Sequence, residues 1–173
     1  VLGVNLQGFG QRPAAWRTQD VEPTDLLTAE FWGDLGRIAE RGLLDMMFFA
    51  DHPALGDPNV RAYGLLEPFV ALGAIADATT HLGLVGTAST TYNDPVDLAE
   101  RLLSLDTVSG GRVAWNAVTT YDRSVSANFG VATNPERPER YARAGEVVDL
   151  VQALWRSAAT GVPGDHHGEF TEF

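Results

Sequence analysis

The chain has 173 residues, 45% hydrophobic and 20% charged, which is the composition of a globular protein with one sizeable core. Its formal net charge of -11 and the lack of any basic run argue against nucleic acids or anionic membranes as partners. The absence of cysteine excludes disulfides, thiolate catalysis and cysteine-ligated zinc. No apolar stretch is long enough to span a bilayer, and residues 1–6 resemble a core strand rather than a signal peptide. We therefore expect a cytoplasmic protein.

Four strand patterns alternate with four helix patterns along the chain. The predicted strands cover residues 1–7, 44–50, 82–87 and 113–118, and the predicted helices cover residues 28–41, a segment from about 67, a segment from about 94, and 138–155. Strands and helices that alternate at this spacing predict parallel βαβ units. A long loop is expected at residues 51–65, and residues 165–173 have the pattern of a further extended segment.

Local signals set the helix boundaries and the inward faces. Gly42 is placed to cap the end of the first helix, Pro68 is tolerated in the first turn of the second, and Asp94 is a good N-cap for the third. Apolar periodicity predicts these inward positions: Phe31, Leu35, Ile38 and Ala39; Phe69, Leu72 and Ala76; Leu98, Leu102 and Leu105; Tyr141, Ala144, Val148, Val151 and Trp155.

Two α/β folds fit four consecutive βα units. One is a doubly wound sheet, and the other is the first half of a (β/α)8 barrel, which needs about 250 residues when complete. The chain is too short to close a barrel alone. It contains no linker, repeat or low-complexity segment that would divide it, so we expect residues 1–173 to form a single domain.

Three predicted strands finish in polar side chains. Asp51 and His52 follow the second strand, a run of hydroxyls follows the third, and Trp115 and Asn116 lie in the fourth, after the turn at Gly110-Gly111. Ligands are met at the carboxyl ends of parallel strands, so these side chains predict one shared site.

Asp51 and His52 admit several interpretations. They could form a general acid–base pair, or half of a metal site with His81. Asp51 could equally accept hydrogen bonds from a bound heterocycle or sugar. No His-x-His pattern and no later carboxylate-rich strand end supports a metal, and His81, His166 and His167 are expected at the surface.

Known nucleotide and hydrolase motifs find little support. Gly8-Phe9-Gly10 follows the first strand, but Pro13 stands where a dinucleotide fingerprint needs its third glycine, and a loop follows in place of a helix. Neither a phosphate-binding Gly-x-x-x-x-Gly-Lys-Ser/Thr loop nor a Gly-x-Ser-x-Gly elbow occurs.

Polar runs around the third strand and the last helix have two interpretations each. The hydroxyls and amides at residues 87–93 could reflect strand and turn preference, or line an oxygen-rich ligand. Arg137 and Tyr141 begin the last helix, where backbone N–H groups favour an anion. Arg140 and Arg143 are expected to be solvated partners of Glu139 and Glu146.

An ordered series of motifs resembles one known family. The motifs are Ala15-Trp16-Arg17, Phe49-Ala50-Asp51, Leu66-Glu67-Pro68-Phe69, Gly83-Leu84-Val85-Gly86-Thr87, Thr90-Thr91-Tyr92-Asn93-Asp94-Pro95, Ser109-Gly110-Gly111-Arg112, Trp115-Asn116-Ala117-Val118-Thr119, Asn128-Phe129-Gly130 and Glu139-Arg140-Tyr141. Together they resemble the bacterial-luciferase-like flavin monooxygenases, in particular the nitrilotriacetate monooxygenase component A branch. The resemblance covers essentially the whole chain.

The resemblance implies a TIM-type barrel of which this chain supplies about the N-terminal half. It implies reduced FMN (FMNH2) as cofactor, O2, and a separate NAD(P)H:flavin reductase as partner. It also implies a homo-oligomer and a small organic substrate: an aminopolycarboxylate, a sulfur compound or a nitrogen compound. The competing hypothesis is a non-catalytic flavin- or ligand-binding fragment of such a barrel, and a metal-dependent hydrolase is a distant third.

Carried over by motif, the expected FMN contacts are Asp51, Thr87, Asn116 and Tyr141. Arg137 is added because it stands where family members often place a histidine, and a guanidinium can serve a phosphate. The family's chains run more than twice as far and supply a later phosphate-binding segment.

Overall fold

The computed structural model describes residues 1–10, 12, 14–18, 22–54 and 66–172. Four strands, β1 to β4, and five α-helices, α1 to α5, are found within these ranges. In chain order they are β1 (Gly3–Leu6), α1 (Ala29–Arg41), β2 (Met46–Phe49), α2 (Pro68–Ala78), β3 (Gly83–Ser89), α3 (Pro95–Ser109), β4 (Val113–Val118), α4 (Arg123–Asn128) and α5 (Arg137–Thr160). Two short 3-10 helices, Ala15–Thr18 and Pro23–Leu27, precede α1.

The four strands form one sheet in the order β1-β2-β3-β4. β1 pairs with β2 in parallel, with Gly3 opposite Met46, and β2 pairs with β3 in parallel, with Met46 opposite Gly83. Each consecutive pair is joined by a helix, which confirms the predicted βαβ units. Of the predicted loop at residues 51–65, positions 55–65 lie outside the described residues, as does Pro13.

The chain divides into two compact units, and the divisions fall within β3, α3 and β4. Unit 1 comprises Val1–Thr87 and Leu105–Trp115, and unit 2 comprises Ala88–Ser104 and Asn116–Phe173. The largest fully buried side chains in unit 1 are Trp32, Met47, Leu72, Ile75, Leu82 and Leu84, and those in unit 2 are Leu98, Leu102, Val125, Val147, Leu150 and Val151.

Glycines set the contact between α1 and α2 in unit 1. A Cβ atom at Gly36 would lie 2.8 Å from Cγ2 of Ile75, so the helices approach more closely than larger residues would permit. The buried positions of α1 are therefore Trp32, Gly33, Gly36 and Ala39. The prediction for Ile38 was wrong: its side chain is 56% exposed, because the inward face is centred on the glycines.

The predicted helix starts are confirmed. Glu67 immediately precedes Pro68, the first residue of α2, and its carboxylate accepts hydrogen bonds from the backbone N–H groups of Phe69 and Val70 at 2.9 and 3.1 Å. Asp94 accepts those of Val96 and Asp97 at 2.8 and 3.1 Å at the start of α3. These side chains satisfy donors that have no partner inside their own helices.

Helix α5 differs from its predicted pattern. It runs for 24 residues, and its buried residues are Val147, Leu150 and Val151. Tyr141 was expected to face inward but is 56% exposed, which leaves its ring accessible near the start of the helix. Helix α4 was not predicted, since its six residues are too short for a periodic signal.

The predicted extended segment at residues 165–173 is not found as a strand among the described residues. A single antiparallel bridge joins His167 to Glu172, and the N–H of Gly168 donates to the carbonyl oxygen of Thr171 at 2.9 Å, so residues 167–172 form a tight hairpin. Among the described residues, no helix has the length and apolarity needed to cross a membrane.

Candidate functional site

In unit 1, two of the predicted site residues follow neighbouring strands. Asp51 is half-buried and lies two residues beyond the end of β2, and Thr87 is only 4% exposed within β3. Both residues already take part in interactions within the protein. His81 is exposed, as predicted, and no cluster of metal ligands was found among the described residues.

In unit 2, hydroxyl groups fasten the turn after β3 to the end of β4. Thr90 donates to the carbonyl oxygen of Val118 through both its backbone N–H (2.9 Å) and its hydroxyl (3.1 Å). The hydroxyl of Thr120 donates to that of Ser89 at 2.7 Å, and the hydroxyl of Thr91 accepts the N–H of Thr120 at 3.2 Å. These hydroxyls hold the strand ends together, and this network favours the structural interpretation of the run.

Two arginines of α5 bind backbone rather than neighbouring glutamates. Nε of Arg143 donates to the carbonyl oxygen of Thr90 at 3.1 Å, and Nη1 of Arg140 donates to that of Pro135 at 2.6 Å. The predicted pairing of Arg143 with Glu146 was therefore wrong. Planar guanidinium groups satisfy carbonyls that lie beyond the reach of the helix backbone.

Glu146 binds the hairpin at the end of the described chain. Its carboxylate accepts the backbone N–H groups of Glu169 (2.9 Å) and Phe170 (3.1 Å), and Nε2 of His166 lies 3.4 Å from Oε1. His166, expected at the surface, has a side chain that is only 20% exposed. Burial alone would raise the pKa of Glu146, but the hydrogen bonds from Phe170, His166 and Glu169 outweigh it, so its pKa lies below 4.5.

Glu40 has a comparable role in unit 1. Oε1 of Glu40 accepts the backbone N–H groups of Thr80 (2.9 Å), His81 (2.5 Å) and Leu82 (3.0 Å), between α2 and β3. The bond from His81 lowers the pKa of Glu40 most, burial opposes it, and the other two bonds lower it further. The net result is a pKa below the usual 4.5.

Arg137 and Tyr141 meet at the start of α5, as predicted. Cζ of Arg137 lies 5.5 Å from the centre of the Tyr141 ring, a cation–π contact. The N-cap residue Glu136 makes no side-chain capping bond, so the first-turn N–H groups are not closed off by it.

The remaining predicted contact, Asn116, lies in the β4 portion of unit 2, where it is half-buried and engaged in an interaction. A further group of contacts around Tyr92 was not predicted from the sequence. The Tyr92 hydroxyl donates to Oδ1 of Asn134, and Nδ2 of Asn134 donates to the carbonyl oxygen of Tyr121. The Tyr92 ring stacks on Phe129 at 4.7 Å with an interplanar angle of 6°. Both rings belong to recognised motifs, but nothing in their spacing indicated a contact.

A protein-family model described as luciferase-like monooxygenase matches residues 13–173. The chain belongs to this family. The luciferase-like monooxygenases are flavin-dependent oxidoreductases, and the predicted family is thus confirmed.

Two curated relatives and one solved structure illustrate the match. The N-acetyl-S-(2-succino)cysteine monooxygenase of Bacillus subtilis is 41% identical over 90% of this chain and 36% of its own length. The nitrilotriacetate monooxygenase component A of Aminobacter aminovorans is 38% identical over 92% of this chain and 38% of its own. The EDTA monooxygenase structure from Chelativorans sp. BNC1 superposes with a TM-score of 0.89 and 30% identity, over 99% of this chain and 45% of its own.

The chain thus spans less than half the length of each of these relatives. Its parallel sheet with connecting helices matches that share of a barrel monooxygenase, which confirms the predicted fold class.

Proposed function

We propose that the chain is the N-terminal part of an FMNH2-dependent monooxygenase that inserts one atom of O2 into a small organic substrate. The superposition on the EDTA monooxygenase, with a TM-score of 0.89 across 99% of the chain, is the observation that carries this proposal. A separate NAD(P)H:flavin reductase would supply the reduced flavin, and the active protein would be a homo-oligomer.

The start of α5 suits the phosphate of FMN. The Arg137 guanidinium offers several N–H donors and a permanent charge, and the Tyr141 hydroxyl offers one more donor. Cζ of the Arg137 guanidinium lies 5.5 Å from the centre of the Tyr141 ring, and Tyr141 is 56% exposed, so the phenol is accessible to a ligand. Backbone N–H groups in the first turn of the helix add to the attraction.

Asp51, Thr87 and Asn116 are proposed as contacts to the remainder of FMN. A carboxylate accepts hydrogen bonds from hydroxyl or ring N–H groups, a hydroxyl both donates and accepts, and a carboxamide does the same with two separate atoms. All three are at least half-buried, so hydrogen bonds to FMN would be shielded from water. When bound, reduced flavin supplies the electrons that activate O2, while the protein orients the flavin and excludes water.

The substrate is proposed to be an aminopolycarboxylate or a small sulfur or nitrogen compound. Two of the relatives are named N-acetyl-S-(2-succino)cysteine monooxygenase and nitrilotriacetate monooxygenase component A. The competing proposal is a chain that binds flavin without turning over.

Aerobic assays separate the two proposals. The longest natural reading frame that contains these residues is purified and supplied with FMN, NADH and a flavin reductase, then screened against nitrilotriacetate, EDTA, dibenzothiophene sulfone and dimethyl sulfide. We expect oxygenated product from at least one compound class and none when the reductase is omitted. Tight flavin binding without product from any of these compounds would favour the non-catalytic alternative.

A further inference from the structure

Tyr92 links the turn after β3 to the segment of unit 2 that connects β4 to α5. This connecting segment has 18 residues, between Val118 and Arg137, and includes α4. Tyr92 contacts the connecting segment at its middle, by stacking on Phe129, and near its end, by donating to Asn134. Through Nδ2 of Asn134 it is also linked to Tyr121, near the beginning.

The link at Asn134 continues into α5. Pro135, the next residue, accepts a hydrogen bond from Nη1 of Arg140 at 2.6 Å. The path from Tyr92 through Asn134 and Pro135 therefore reaches the first turns of α5. Proline has a fixed φ and transmits the placement of Asn134 with little freedom.

We propose that Tyr92 is a positioning residue that sets the start of α5, and with it Arg137 and Tyr141, for the phosphate of FMN. This inference rests on the proposed function, because it takes Arg137 and Tyr141 as phosphate contacts. Within the part of the chain that the structure describes, Tyr92 makes no hydrogen bond or ring contact with either residue; it acts through Asn134.

Two variants remove hydrogen bonds of this path, and a third serves as their control. Tyr92→Phe keeps the ring for stacking on Phe129 but removes the donor to Asn134. Asn134→Ala removes the same hydrogen bond from the other side, together with the bond from Nδ2 of Asn134 to Tyr121. Tyr121→Phe is the matched control, because it deletes a tyrosine hydroxyl from a side chain that is 76% exposed and joins the path only through its backbone carbonyl.

The readout is the ratio of the dissociation constants of riboflavin and FMN, measured by fluorescence quenching on the full natural reading frame. Riboflavin lacks the phosphate, so the ratio isolates phosphate recognition. We expect Tyr92→Phe and Asn134→Ala each to raise the Kd of FMN about tenfold while the Kd of riboflavin stays unchanged. The double variant should lose no more than Asn134→Ala alone, since that variant already removes the bond from Tyr92. Tyr121→Phe should match the wild type.

Each other outcome overturns the inference in a distinguishable way. If wild type prefers FMN and Tyr92→Phe retains that preference, Tyr92 does not position the phosphate site, although the proposed function stands. If both flavins weaken equally, the role of Tyr92 is general stability. If wild type binds both flavins equally, the phosphate assignment of Arg137 and Tyr141 fails together with this inference. Asn134→Ala provides the same comparison should Tyr92→Phe not fold.

Discussion

The guanidinium of Arg112, just before β4, binds the carbonyl oxygen of Ala76 in the last turn of α2 through Nη2 at 2.8 Å. The same side chain donates to the carbonyl oxygens of Thr79 (3.2 Å) and Leu82 (2.9 Å), and to the Thr79 hydroxyl (2.9 Å). Nε donates to the carbonyl oxygen of Ser109 at the end of α3 at 2.7 Å. One side chain therefore caps the carboxyl ends of two helices.

We expect Arg112→Lys to lower the free energy of unfolding by about 2–4 kcal/mol, because a single ammonium cannot replace a planar fork with donors in several directions. Urea denaturation of the natural protein measures the change. Arg37→Lys is the matched control: its pair with Asp34 is solvent-exposed, and it should cost less than about 0.5 kcal/mol. Equal costs at the two positions would contradict the capping role.

Leu43 occupies a backbone conformation that suits glycine. Its φ is +58°, whereas the preceding Gly42, predicted to cap α1, has φ −75°. The Leu43 side chain is 84% exposed, so its removal loses little burial. We expect Leu43→Gly to raise the free energy of unfolding by about 0.5–1 kcal/mol.

Gly42→Ala provides the contrast, because a Cβ there would meet its nearest atoms at an ordinary 3.4 Å. We expect it to leave stability unchanged or slightly higher. Thermal melts of both variants decide the matter: destabilisation by Gly42→Ala together with no gain from Leu43→Gly would mean that the left-handed position is misassigned.

Asp51 and Asn116 supply a direct test of the flavin contacts. Asp51→Ala and Asn116→Ala should each weaken FMN binding by about 1–3 kcal/mol, since the bound flavin would lose a partner that is shielded from water. The melting temperature should change less than the affinity. Asp77→Ala, which deletes a carboxylate from the exposed side of α2, should leave FMN binding intact. Unaltered affinity in both site variants would remove these residues from the cofactor site.

The hairpin held by Glu146 should loosen in acid. A carboxyl whose pKa is lower in the folded state stabilises the fold fully above its unfolded pKa, near 4.5, and loses that contribution as the pH falls through its lower folded value. We expect hydrogen-exchange protection of the Glu169 and Phe170 amides to be constant from pH 7 to about 5.5 and to decline below about 4.5. In Glu146→Gln, protection should be weaker and independent of pH in this range. A decline that persists in Glu146→Gln would assign the effect to another group.

Residues 1–173 expressed alone should associate. β1 and β4 lie at the two edges of the sheet formed by the described strands, and unpaired strand edges are templates for further pairing. We predict oligomers or aggregates with poor FMN affinity, seen by light scattering and flavin titration. A monodisperse monomer that binds FMN as tightly as the full natural reading frame would contradict the half-barrel interpretation.

Local chemistry predicted the elements well where one residue type carried the signal. β4 was placed at its observed bounds, and Pro68 and Asp94 marked the starts of α2 and α3, because caps and strand cores depend on near neighbours. The errors arose where a distant contact decided the outcome. Ile38 is exposed because the close approach at Gly36 decides which face of α1 is buried. Arg143 donates to the carbonyl oxygen of Thr90, which lies 53 positions earlier in the chain.

In the candidate site, too, residues in local motifs were predicted and contacts between distant residues were not. The motif match located Arg137 and Tyr141, and the structure brings them together. The contacts of Tyr92 with Phe129 and Asn134 span 37 and 42 positions, so no sequence periodicity could have indicated them.

Glu146 holds the hairpin through main-chain N–H groups of residues 169 and 170, so every residue type except proline can supply these two bonds. Gly168 is different, because a Cβ there would collide with the Glu146 carboxylate itself. Positions 169 and 170 are thus open to diversification by drift or by a randomised library, apart from proline, while any side chain at position 168 displaces the carboxylate that holds the hairpin.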